Sequence, residues 1–251
     1  MSATDPAPVA LVTQCDDYVG PALARLLALS NHRLLLHRPR PDLVDELTAN
    51  GVELEVVARG EVDLTTAAGN EALVQRALDR WGQIDAACFV TGSIVVGRFA
   101  DVTKEQWDFV KTANLDMPFY ALQAVLPPMK EAGRGQVVVF TSATGANPQP
   151  MVSAYSSTRA GANALVRAVG LEYAPHGVAV NAIGTNYMDF PGFLKASGAD
   201  DPERRSKIEA QVPMKRLGTM EELAAFTAVL LDGRSRFQAG QFFSFSGGWS
   251  A

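Results

Sequence analysis

The chain has 251 residues, 47% of them hydrophobic and 20% charged, enough material to bury a large core in a single α/β domain. A net charge of -5 and the lack of any Lys/Arg run argue against a nucleic-acid partner, because phosphate neutralisation needs clustered cations. The two cysteines and three histidines are scattered and suggest neither a disulfide framework nor a metal site. With no signal-peptide pattern and no run near the ~20 apolar residues of a membrane span, a soluble, cytoplasmic protein is expected.

Residues 1–8 are small, polar and Pro-containing and read as a loosely held tail before a single domain spanning 9–251. Apolar runs at 9–12, 33–37, 53–58, 84–90, 136–141, 178–183 and 241–245 predict seven strands, with six helical stretches between them. Strands alternating with amphipathic helices predict a doubly wound parallel sheet. The segments at about 103–132 and 154–174 repeat apolar residues every three or four positions and predict long helices. Between them and the last strand, 185–213 contains Pro191, Gly192, Gly198, Pro202 and Pro213 and no clear strand. An insertion after a parallel strand is where open α/β sheets place ligand-binding elements.

The turn after the first strand is where such a sheet holds a pyrophosphate, and it needs glycines so that backbone N–H groups can approach. Here it reads Thr13-Gln14-Cys15-Asp16-Asp17-Tyr18-Val19-Gly20, with Gln14 and Tyr18 where glycines are expected. Asp16 and Asp17 add negative charge near an anionic ligand. The end of the fourth strand, Phe89-Val90-Thr91-Gly92, carries bulky apolar residues in place of two asparagines. No functional dinucleotide loop, and hence no cofactor, is expected.

Ser142, Tyr155 and Arg159 form the acid/base set. A free phenol ionises near pH ~10, so it serves as a base at neutral pH only where a nearby cation favours its anion. Residues at i and i+4 share a helix face, which places the guanidinium one turn from the phenol.

Ser142, a gap of twelve, Tyr155, a gap of three and Arg159, together with Thr13, Tyr18 and Gly20, resemble the two spaced motifs of the halohydrin dehalogenases, relatives of the short-chain dehydrogenases. The resemblance spans the chain. It implies a Rossmann-like domain without a cofactor, converting vicinal haloalcohols reversibly to epoxides and opening epoxides with small anions. It further implies halide contacts from Tyr18, Thr185, Asn186, Tyr187 and Met188, with Thr185 standing where the family has Pro, and a homotetramer formed through the two long helices. Its partners would be a haloalcohol or epoxide and a small anion. Phe190, Pro191 and Phe193 would line the substrate mouth. The alternative is a nicotinamide-dependent reductase using the same tyrosine and serine.

Overall fold

A computed structural model describes residues 6–250; Met1–Asp5, part of the predicted tail, and Ala251 lie outside the described residues. Ala7 and Pro8 are not loose. The Ala7 carbonyl accepts two hydrogen bonds from the Arg33 guanidinium and one from Gln83, and the Pro8 carbonyl accepts from the Arg33 amide.

Seven parallel strands build the sheet: β1 (Val9–Val12), β2 (Arg33–His37), β3 (Leu54–Val57), β4 (Ala86–Val90), β5 (Gly135–Ser142), β6 (Val178–Thr185) and β7 (Phe242–Phe245), in the spatial order β3-β2-β1-β4-β5-β6-β7. Parallel strands buried on both faces need apolar residues at every position, and β1, Val-Ala-Leu-Val, supplies them. Its side chains alternate. Val9 and Leu11 enter one core with Leu73, Val125 and Val166, while Ala10 and Val12 enter the other with Leu23, Leu43 and Leu223. Full burial of a leucine such as Leu23 stabilises the fold by about 1.5–3 kcal/mol.

On one face lie α1 (Gly20–Leu29), α2 (Pro41–Ala49) and α9 (Met220–Val229). The other face carries α3 (Ala67–Trp81), α5 (Met117–Ala132) and α6 (Ser153–Tyr173). The predicted helix over 103–132 is interrupted. Helix α4 (Lys104–Lys111) runs into a π turn at Thr112–Asp116 before α5 begins. That turn carries Asn114, whose amide donates to the Ser93 carbonyl and the Thr158 hydroxyl while its oxygen accepts from the Ser93 N–H. Local regular geometry has yielded to a fully buried polar bracket between α6 and the chain after β4.

The interval 185–213 is also more ordered than a loop. It folds into α7 (Pro191–Ser197) and α8 (Pro202–Glu209), each with Pro in its first turn and α8 capped by Asp201. Strand order reverses between β1 and β4, which opens a crevice at the carboxyl ends of the strands.

Candidate active site

The carboxyl end of β5 delivers Ser142, and the first turns of α6 deliver Tyr155 and Arg159. A one-turn helix at Ala143–Gly145 joins β5 to the start of the loop before α6 and presses on that helix. A methyl group on Gly145 would stand 2.8 Å from the Arg159 carbonyl carbon and 2.7 Å from the Asn163 amide nitrogen, so only glycine allows this approach.

Ser142 is buried, and its Oγ sits 2.9 Å from the Thr144 hydroxyl and accepts a 3.2 Å bond from the Thr144 N–H. It therefore caps the following turn and also fixes its hydroxyl at the mouth of the site. A weaker 3.4 Å bond runs from Ser142 Oγ to the Thr185 carbonyl.

Arg159 is only 4% exposed, although it is a charged residue. Its guanidinium donates to the Thr91 carbonyl at 2.6 Å and the Phe140 carbonyl at 3.2 Å, with a longer contact to the Thr91 hydroxyl. These acceptors close the ends of β4 and β5, so the side chain pins α6 to the sheet edge. The sequence suggests a purely electrostatic part for Arg159; the structure adds an anchoring one. Among the described residues its Nε has no hydrogen-bond partner and the side chain makes no ion pair. The guanidinium carbon lies 5.3 Å from the centre of the half-buried Tyr155 ring, a cation over the face of an aromatic system.

Gly92 makes room for this arrangement. At φ 116°, a methyl group there would stand 1.7 Å from Arg159 Nη2 and 2.5 Å from Asn114 Oδ1. Gly92 and Thr144 belong to the site, and sequence spacing assigned them no role in it.

Tyr18 and Thr185 meet as the sequence suggests, but they meet each other. The Tyr18 hydroxyl donates to Thr185 Oγ1 at 2.7 Å, and its ring packs edge-on against Phe140 and Phe190, with centroids 5.5 and 4.9 Å away. Burial pushes the Tyr18 phenol far above the ordinary range, opposed by the Thr185 bond; Tyr155 pushes the same way as burial and Arg159 against it. Tyr18 thus stays neutral, within electrostatic reach of both.

Asn186, Tyr187 and Met188 depart from expectation. The resemblance implies halide contacts from this turn, but the Asn186 N–H bonds to the Phe245 carbonyl and the Tyr187 N–H to Asn186 Oδ1. Next along the chain, the Asp189 N–H bonds to the Gly218 carbonyl. Met188 is a core side chain, 2% exposed. The Tyr187 ring stacks edge-on against Phe193 and Trp249 and its hydroxyl reaches Gln211. All three line a separate cavity of about 570 Å³ with Met214 and Phe245, and Ser142, Tyr155 and Arg159 are not among its walls. Of the mouth residues, Phe190 covers Tyr18, and Phe193 belongs to the Tyr187 cluster.

Asp16 also differs from the sequence reading. Its carboxylate is paired with Arg38 at 2.9 Å and Arg59 at 2.6 Å, so its charge is balanced rather than presented to the crevice. Repulsion by Asp16 is not an obstacle to an anion there.

Residues 18–250 match the family described as enoyl-(acyl carrier protein) reductase. A ketoacyl reductase of the monensin polyketide synthase from Streptomyces virginiae is 32% identical over 254 residues, covering 96% of both chains. A D-beta-hydroxybutyrate dehydrogenase from Rhizobium meliloti is 29% identical over 254 residues, covering 96% of this chain and 98% of that one. The crystal structure of levodione reductase superposes with a TM-score of 0.88 at 26% identity, covering 97% of each chain. These proteins are named as reductases and dehydrogenases, and that overturns the reading as a halohydrin dehalogenase, a carbon–halide lyase acting on haloalcohols. On the family match and the full-length relatives, the chain belongs to the short-chain dehydrogenases/reductases.

Proposed function

We propose that the chain interconverts a hydroxyl and a carbonyl group on a small organic molecule, with Ser142, Tyr155 and Arg159 as its catalytic residues. The observation that carries this reading is the assembly of a fixed serine hydroxyl and a half-buried phenol beside a buried guanidinium that lacks a carboxylate partner. In the reduction direction, Ser142 holds the carbonyl oxygen by a hydrogen bond and Tyr155 gives it a proton; oxidation runs the same proton back to Tyr155. Arg159 lies over the face of the phenol ring and holds the phenol's helix against the sheet. The relatives' names, ketoacyl reductase and hydroxybutyrate dehydrogenase, support an alcohol–ketone pair as the substrate class.

A nicotinamide dinucleotide would supply the hydride in such a reaction. The residues present do not fit it in this conformation: Tyr18 fills the crevice over β4 and β5, Gln14 Nε2 is turned onto the Val90 carbonyl at 2.8 Å, and Arg159 is committed to Thr91 and Phe140. Among the described residues no helix is long and apolar enough to cross a membrane. The exposed Trp107, Phe109 and Phe119 of α4 and α5 support subunit contacts, and we keep a homotetramer as the proposed assembly.

The test is turnover of small ketones and β-keto thioesters with NADH or NADPH, followed by loss of nucleotide absorbance, and the reverse with the alcohols. Substrate-dependent oxidation of the nucleotide that Tyr155→Phe abolishes is the expected result. No turnover in either direction over a broad panel refutes the reading.

A further inference from the structure

We infer that Tyr18, latched to Thr185, is a plug that sets how tightly this chain takes a dinucleotide, a deepening that rests on the oxidoreductase reading. The bond joins residues 167 positions apart, from the turn after β1 to the end of β6, and the ring between them leans on Phe140 of β5 and on Phe190. It therefore crosses the carboxyl edge of the sheet at the crevice where strand order reverses, the place where open α/β sheets hold their ligands.

The backbone beneath the plug retains the shape of a glycine turn. Gln14 has φ 49° and Tyr18 φ 55°, left-handed conformations that glycine adopts without strain and side-chain-bearing residues adopt at a cost. The path of the chain is thus that of a loop able to approach a pyrophosphate, while two side chains occupy the space the approach requires. Strain at Tyr18 is offset by the aromatic contacts and the Thr185 bond, and strain at Gln14 by its bonds to His37 Nδ1 and the Val90 carbonyl.

The end of the crevice beside β2 and β3 is different. Arg38 and Arg59 stand there, both paired with Asp16, and among the described residues Arg38 Nε lacks a partner. One end of the crevice is therefore open to an anionic ligand and the other is shut by Tyr18. A ligand that needs both ends binds only the fraction of molecules in which the plug is out, and its apparent affinity falls by that fraction.

The experiment is an equilibrium titration of the full chain with NADH and with NADPH, read by calorimetry, for the wild type and for Tyr18→Gly, Tyr18→Phe and Thr185→Val. The last two remove only the latch, and melting curves confirm that all variants are folded. We expect Thr185→Val and Tyr18→Phe to bind about 5–10-fold tighter than wild type, the share of one hydrogen bond, and Tyr18→Gly to bind tighter still. If wild type and variants share one dissociation constant, the plug is refuted while the oxidoreductase reading stands. If none of the four binds either nucleotide, both fall.

Discussion

Replacing Gly92 by alanine tests the central packing of the site, because the new methyl group has nowhere to go. Built on the existing backbone, it stands 1.7 Å from Arg159 Nη2, 2.4 Å from Arg159 Cζ and 2.5 Å from Asn114 Oδ1. Both neighbours are buried and tied by hydrogen bonds, so neither is a free end that swings aside. Overpacking of this kind costs about 1–3 kcal/mol, and holding alanine at φ 116° adds about 1–3 kcal/mol more. A loss of about 2–6 kcal/mol is expected in urea unfolding, with an unchanged dependence on denaturant. Arg159→Ala on the same background removes the clash with the guanidinium but not the one with Asn114 or the backbone share. The double-mutant cycle should therefore show about 1–3 kcal/mol of coupling between positions 92 and 159. Gly92→Ala within 0.5 kcal/mol of wild type, on the order of a surface substitution, would refute the account of how Arg159 is seated.

Tyr155→Phe and Ser142→Ala should each lower kcat by about 10²–10⁴-fold with intact melting curves, and full activity in either would remove that group from the mechanism. Thr144 acts through Ser142, so Thr144→Val should lower kcat more than it moves KM and Thr144→Ser should restore it; equal loss in both variants would make the role merely structural. His37 is buried, and that burial, helped by Arg38 and Arg59, pushes its imidazole down to about 4, while its Nδ1 accepts from the Gln14 N–H. Below pH ~6.5 the unfolded chain binds this proton and the folded chain does not. Stability is therefore full above that value and falls, by on the order of 3 kcal/mol, as pH drops toward 4. His37→Asn should flatten this fall in unfolding midpoints, and an unchanged slope would assign it to other groups. Burial pushes the Cys15 thiol up to about 12 and raises Cys88 as well, so neither should react with a thiol reagent at pH 8 until the chain unfolds.

The sheet and its flanking helices were legible in the sequence because a parallel strand buried on both faces must be apolar throughout, and Val9–Val12 and the inner part of β5 are. The positions of Ser142, Tyr155 and Arg159 were legible for a similar reason: their spacing fixes a strand end and one face of a helix. The π turn at Thr112–Asp116 was not, since it depends on Asn114 finding Ser93 and Thr158 across the fold. Nor was the state of the 186–188 turn, where the Asn186 N–H finds the Phe245 carbonyl and the Tyr187 carbonyl finds the Gly218 N–H, both far away in the chain.

Tyr18 marks the boundary between the two kinds of knowledge. That a phenol replaces a glycine is written in the chain, and from it alone both a lost cofactor and a new pocket were reasonable deductions. Only the tertiary structure shows the hydroxyl spent on Thr185, the ring wedged between Phe140 and Phe190, and Asp16 neutralised by Arg38 and Arg59. Sequence fixes which groups are available and at what local spacing; which of them satisfy one another across the sheet is decided by chain segments up to 167 residues apart, and local pattern does not encode that pairing.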